Sequence, residues 1–328
     1  MIRKLCVAPM MGCTDRHCRF LFRLLSPNTM LYSEMLTTGA LIYGDYQKFL
    51  DHAEDAASAF QLGGSDPQQL AQAAKLVESA GYQEVNLNCG CPSDRVQQGG
   101  IGACLMAEPR LVAQCYEAMA DAVSIPVTIK TRIGIDHHDD YAHFKAFISE
   151  SYDSGCRNFQ IHARKAILQG LSPKENREIP PLNYDFVRQI QKDFSDAEFV
   201  INGGITTPRQ VQDLLVEFPG VMLGRAPYSN PYLLVELEQQ VFGTTAVTRA
   251  AVYRQYRVYM AEQMHAGVHL KHMAKHLLGL YTGLPGARAF RRHLPTHMHK
   301  DNADLSVVDD AVKFVATETC SPRGPNND

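Results

Sequence analysis

The 328-residue chain has no run of about 18 apolar residues, so no membrane-spanning helix is expected. Its start, MIRKLCVAPMMG, enters a short apolar run directly and has no signal-peptide hydrophobic region. Nine cysteines, an odd number with no secretory signal, predict free thiols in a reducing cytoplasm. Cys89 and Cys91 form a C-x-C, but no second Cys/His pair completes a usual zinc site, so no structural metal is expected. No G-x-G-x-x-G follows the first strand-like run, which weighs against a doubly wound dinucleotide fold. Internal repeats and low-complexity tracts are also lacking. A hydrophobic content of 45% is ordinary for a globular chain with a sizeable core.

What the chain does have is alternation. Eight short apolar runs, near residues 5–8, 30–33, 57–61, 85–87, 127–130, 159–162, 199–202 and 221–223, read as strands. Mostly amphipathic helical stretches separate them, several opened by capping residues: Thr14 or Asp15, Ser65 or Asp66 before Pro67, and Thr207 before Pro208. Over about 240 residues this is the pattern of a (β/α)8 TIM barrel, whose function sits at the C-terminal strand ends. After Gly243 the strand signal fades and helical periodicity takes over. The reading is a barrel over residues 1–243 and a C-terminal helical domain over 244–328, with Leu305 to Ala316 as its last helix.

Charge divides the chain the same way. The formal net charge is −3, yet the stretch from Arg249 to Lys300 carries nine Lys/Arg and one acid. A basic segment on an acidic body points to a polyanion partner such as nucleic acid, or to a solvated helical face.

The most informative stretch is VNLNCGCPSDRVQQGGIGACL, Val85 to Leu105. A strand end leads into Asn88, Cys89, Gly90, Cys91, Pro92 and Ser93, then into a glycine segment expected to be flexible. A thiol just past a strand end is a place for chemistry, and Cys91 is the candidate; Cys89 and Cys104 read as small buried hydrophobes. Gly203 and Gly204 after strand seven, and Gly224 with Arg225 after strand eight, suit a phosphate, since those loops form the common phosphate site of barrels. A lysine pointing into the mouth, Lys130, is costly to bury unpaired and suits an anionic ring atom; His162 stands beside it. Gln61 and Asn88 can pair with a heterocycle edge. Phosphate, heterocycle and lysine together are compatible with a flavin mononucleotide (FMN) site.

The motifs VAPMMGCTD, FQLGG, VNLNCGCPSDRVQQGGIGACLM, VTIKTRIG, IHARKAILQGLSPKENREIPPL, INGGI and VMLGRAPYSNP together resemble the tRNA-dihydrouridine synthases. The HARKA…SPKENREIPPL loop and the segment LLGLYTGLPGARAFRRHL resemble the A-type members, assigned to D-loop positions 20 and 20a of tRNA. The resemblance implies FMN-dependent reduction of a uridine C5–C6 bond with NADPH as reductant: hydride to C6 from flavin, proton to C5 from Cys91. An ordinary thiol is mostly protonated at neutral pH and can donate. By the matching motifs, FMN contacts are expected from Pro9, Met10, Met11, Gln61, Lys130, His162, Asn202, Gly203, Gly204, Gly224 and Arg225. The base must leave the RNA stack to reach a barrel mouth, with Asn88 expected to hold it. Lys174, Arg177, Arg288 and Arg291 match positions expected to orient the tRNA. A monomer is expected, because one tRNA would occlude the basic face. Two other readings remain open at this stage. One is an FMN reductase of free pyrimidines, related to dihydroorotate dehydrogenases. The other is a tRNA-binding protein with a vestigial flavin site.

Overall fold

The computed structural model describes residues 3–52 and 57–315. Eight parallel strands close into one barrel in chain order: β1 (Leu5–Val7), β2 (Met30–Thr37), β3 (Ser58–Gly63), β4 (Glu84–Cys89), β5 (Val127–Arg132), β6 (Asn158–His162), β7 (Glu198–Asn202) and β8 (Gly220–Leu223), with β8 pairing back to β1. Helices alternate with them. These are α1 (Arg16–Leu25), α2 (Thr38–Tyr43), α3 (Tyr46–Leu50), α4 (Pro67–Ser79), α5 (Asp94–Gln98), α6 (Pro109–Ala122), α7 (Tyr141–Asp153), α8 (Tyr184–Asp193), α9 (Pro208–Leu215), α10 (Arg225–Ser229) and α11 (Leu233–Phe242). Beyond them lie α12 (Arg249–His265), α13 (Lys271–Ala274), α14 (Ala287–His297) and α15 (Ser306–Val312).

Strand residues point alternately out and in. The outward set is apolar, for example Val85 and Leu87, Phe159 and Ile161, Phe199 and Ile201, and it packs against the surrounding helices as the main core. The inward set is different. Cys6, Met30, Ala59, Val200 and Met222 fill one side, while the β4–β6 side is polar and hydrogen-bonded from strand to strand. Arg3 Nε donates to Glu84 Oε2 at 2.7 Å, and Tyr32 and Thr128 donate hydroxyl protons to Glu84 Oε1. Above them, Asn86 donates to Thr128 Oγ1 and Gln160 Oε1. Two residues further up each strand lies the barrel mouth.

The expected helix starts take specific caps. Asp15, rather than Thr14, accepts from the Cys18 N–H, and Asp66, rather than Ser65, accepts from Gln69. Thr207 and Gln210 close a capping box.

Three expectations need correction. Strand β2 extends to Thr37 instead of stopping at Ser33, through a register shift between Tyr32 and Met35 that breaks the simple alternation. Helices α2 and α3 follow it, where no element was expected. The glycine segment after Cys91 is no floppy linker. It forms α5 and a 3-10 turn, Gly102–Ala107. Gly102 has φ +79°, and a Cβ there would lie 2.6 Å from the Cys91 carbonyl oxygen. That absence of a side chain lets Ala103 N donate to the same oxygen at 2.9 Å.

The C-terminal helices do not form a separate core. Val252, Tyr256 and Met260 of α12 and Phe290 and Leu294 of α14 share one cluster with Leu21 and Phe22 of α1 and Leu234 of α11. The expected helix from Leu305 to Ala316 is α15, and Ala316 lies outside the described residues. No helix among the described residues is long and apolar enough to cross a membrane. The eight cysteines among them are free thiols.

Candidate active site

Parallel pairing brings the expected residues into one inward-facing layer at the mouth. Asn88 pairs in register with Lys130, Arg132 with His162, and His162 with Asn202. Gln61 stands one strand over on β3, and its Oε1 accepts from Asn88 Nδ2 at 2.8 Å. Pro9, Met10 and Met11 leave β1, with Met11 exposed. Gly203 and Gly204 leave β7, and Gly224 with Arg225 leaves β8.

Cys91 sits over this layer on a turn built by Asn88. Asn88 Oδ1 accepts from Gly90 N at 3.0 Å and Cys91 N at 2.9 Å. With the Cys91 carbonyl taken by Ala103 N, both backbone groups of the cysteine are fixed. Its Sγ lies 3.6 Å from Ser93 Oγ, and the side chain packs by Met35, Val96 and Ile101. Asn88, expected to hold the substrate base, also builds the cysteine turn through Oδ1 and bonds Gln61 through Nδ2. Cys89 and Cys104 follow expectation in part: Cys89 is a fully buried strand residue, while Cys104 is half-buried with Sγ on the Ile101 carbonyl.

Cations crowd one side. Burial lowers Lys130 to about 8, with the Arg132 charge adding to the effect and Cys91 opposing it. Its ammonium reaches Asn202 Oδ1 at 3.4 Å, while Asn202 Nδ2 donates to the Met222 carbonyl. His162 is driven well below its ordinary value by burial, reinforced by Arg132, Lys130, Arg164 and Arg177. It is a neutral imidazole at pH 7. Arg225 pairs with Glu178 at 2.8 Å.

Sequence reasoning places Arg132 and Arg164 past their strand ends at the mouth but gives them no part in holding the long loop between β6 and α8, and it does not single out Asn176 or Tyr184. Arg132 donates from Nε to the Gly90 carbonyl and from Nη1 to the carbonyls of Lys165 and Asn176. One buried guanidinium therefore ties the cysteine turn to that loop. Asn176, also buried, accepts from Ile167 N and donates to the carbonyls of Ile167 and Leu171. Arg164 donates to the Pro180 carbonyl, and Tyr184 donates to the Gly203 carbonyl. Arg132 stands two residues above Lys130 on the same inward face, which is what its strand-end position signals.

The layer fits a flavin mononucleotide in its donor set. The Nε of Arg164 is buried without a partner, as is Nε2 of Gln160, the register partner of Lys130 on β6. Lys130 offers a cation at a ring edge, and Gly224 leaves open space where a side chain would project. Among the described residues no group of His, Cys, Asp and Glu could hold a metal ion.

The residues expected to grip RNA fall in two places. Lys174 and Arg177 lie exposed on the β6–α8 loop, and Arg177 is close enough for Cys91 to act on its charge. Arg288 and Arg291 are exposed on α14, away from this layer. They connect to it through the 3-10 turn Lys275–Gly279, which packs on both α14 and α10.

The profile of the family described as Dihydrouridine synthase (Dus) matches residues 6–316. The chain is 55% identical to a tRNA-dihydrouridine(20/20a) synthase of Pseudomonas putida over 316 residues, covering 95% of this chain and 94% of that one. It is 52% identical to the protein of that name from Pseudomonas aeruginosa over 317 residues, 96% of each chain. It is 50% identical to the one from Vibrio cholerae over 312 residues, 94% of this chain and 95% of that one. Among solved structures, morphinone reductase superposes with a TM-score of 0.52 at 12% identity, covering 75% of this chain and 87% of that one, a likeness of fold.

Proposed function

The chain belongs to the dihydrouridine synthase family, and from that premise we propose that it reduces uridine to 5,6-dihydrouridine at positions 20 and 20a in the D-loop of tRNA, with FMN as cofactor and NADPH as reductant. The relatives' names supply the substrate and positions. A bound FMN would relay the two electrons of NADPH to C6 of the base.

Saturating C5–C6 takes a hydride and a proton. Cys91 supplies the proton to C5, and Asn88 with Ala103 holds its backbone in place for that transfer. Lys130 and neutral His162 hold the cofactor's polar edge, while Gln61 and Asn202 set the layer beneath. Pro9, Met10 and Met11 cover the cofactor from the β1 side. Gly203, Gly204, Gly224 and Arg225 receive its phosphate, for which Arg225 exchanges its pairing with Glu178. Lys174, Arg177, Arg288 and Arg291 contact tRNA phosphates, which set register rather than base identity. We assign catalysis to residues 1–243 and the tRNA grip to 244–328, acting as a monomer.

The observation that carries this reading is the placement of Cys91. Its backbone is anchored on both sides above a buried lysine at a barrel mouth. With NADPH and FMN, the protein should form dihydrouridine at positions 20 and 20a of unmodified tRNA and leave free uridine untouched. Comparable turnover of free uridine would overturn the tRNA reading.

A further inference from the structure

Helices α2 and α3 stand at the C-terminal end of β2, so they border the same barrel face as Cys91. One side of the pair is anchored in the core by Leu41 and Leu50. The other side is aromatic and bare: Tyr43 is 79% exposed, Tyr46 42% and Phe49 43%. Among the described residues these are three of the four exposed large aromatics, and such a cluster marks an interaction site rather than a solvated surface.

Phe49 is also the wall of a cavity of about 660 Å³, a size that suits a small ligand such as a nucleotide. Met11, the residue expected to cover the cofactor, forms its border with the mouth. Lys48 lines it from α3 and Arg19 from α1, His269 from the turn between α12 and α13, and His272 from α13. Each of its acids has a partner of its own. Asp51 pairs with Arg16, Asp15 pairs with Lys275 and His276, and Glu34 accepts from the Gly12 N–H. The Lys48 ammonium has no ion-pair partner among the described residues. An aromatic wall, a free cation and continuity with the mouth match one unpaired nucleotide, its base on the ring and its phosphate at the ammonium.

We propose that this cavity binds the nucleotide next to the reacting uridine, with its base stacked on Phe49 and its phosphate beside Lys48. This rests on the tRNA reading above and deepens it. Positions 20 and 20a are neighbours, so whichever uridine reacts, the other lies one step away. A site for the neighbour would set which of the two enters the mouth.

The test pairs a protein change with an RNA change. Wild type and Phe49→Ala are each titrated with unmodified tRNA and with tRNA abasic at 20 or at 20a, and dihydrouridine is mapped at the remaining uridine. Phe49 is partly exposed, so its truncation leaves the fold intact, which circular dichroism checks. Wild type should lose about tenfold in affinity for one of the abasic tRNAs, the scale of one lost base stack. Phe49→Ala should lose as much on intact tRNA, and the two changes together should cost no more than either alone. Additive losses, or no loss from either change, would overturn the proposal while dihydrouridine formation by wild type kept the tRNA reading intact. Failure of wild type to bind or reduce tRNA would sink both. As an independent check, Lys48→Gln should lower the steepness with which tRNA affinity falls with salt by about 0.7 in the log–log slope. An unchanged slope counts against the phosphate contact.

Discussion

At the scale of the residue, two groups divide the work. Cys91, the proposed donor, has its position fixed by its backbone, so removing its sulfur should remove chemistry and little else. Cys91→Ala is expected to keep flavin and tRNA affinity within about twofold and lose turnover by about 10²-fold or more, the usual range for a general acid. Binding titrations alongside single-turnover dihydrouridine formation check this, and near-wild-type turnover would take the proton from another source. Lys130 makes a pH prediction. Its folded value, about 8, lies below the ordinary 10.5. From pH 8 to about 10.5 the unfolded chain holds this proton and the folded chain does not. Across that window the stability contribution of the lysine therefore rises with pH, while the cation offered to the cofactor disappears. FMN affinity should fall as pH rises through 8 in wild type and run flatter from pH 7 to 9 in Lys130→Met. Parallel profiles would show that Lys130 only packs. Asn88 teaches a different lesson. An amide at a strand end reads as a ligand contact, and its bonds to Gly90 N and Cys91 N add a turn-building role that spacing does not reveal.

At the scale of the element, the barrel was legible because eight short strand-like runs alternate with capped helical stretches over about 240 residues. The caps were legible to within one residue, as Asp15 and Asp66 show. What stayed hidden was short and tertiary. Helices α2 and α3 are six and five residues long, too short for an amphipathic period, and Leu41 and Leu50 hold them through contacts with the core. The segment after Cys91 misled because glycine signals both freedom and close approach. Gly102 serves close approach. Gly102→Ala meets both a positive φ and the Cys91 carbonyl, so it should cost about 1–3 kcal/mol of stability. Urea unfolding measures this, and a wild-type midpoint would mean that the turn relaxes freely. The same variant should also lower turnover, since the displaced group is the backbone of the acid.

At the scale of the whole molecule, the basic segment proves less free than its composition suggests. Arg257 is held by both oxygens of Asp309, Lys275 pairs with Asp15, and Arg249 lies over the Tyr232 ring. Asp15 is held far below the usual carboxylate range, with His276 and Lys275 outweighing its burial. As the cap of α1 it also fastens the C-terminal helices to the barrel. A count of charges could not tell these tethers from the outward cations. Arg288 and Arg291 are outward on α14, so replacing both with Ala should weaken tRNA binding and flatten its salt dependence by about two phosphate contacts. Unchanged affinity and slope would move the RNA path off this helix.

The central claim is that electrons pass from NADPH through a flavin at this mouth to a uridine in tRNA. It is tested most directly by following the visible spectrum of the FMN-loaded protein without oxygen. Adding NADPH should bleach the flavin band, and adding unmodified tRNA should restore it as dihydrouridine forms. Bleaching that tRNA fails to reverse, or a folded protein that takes up no FMN, would contradict the account.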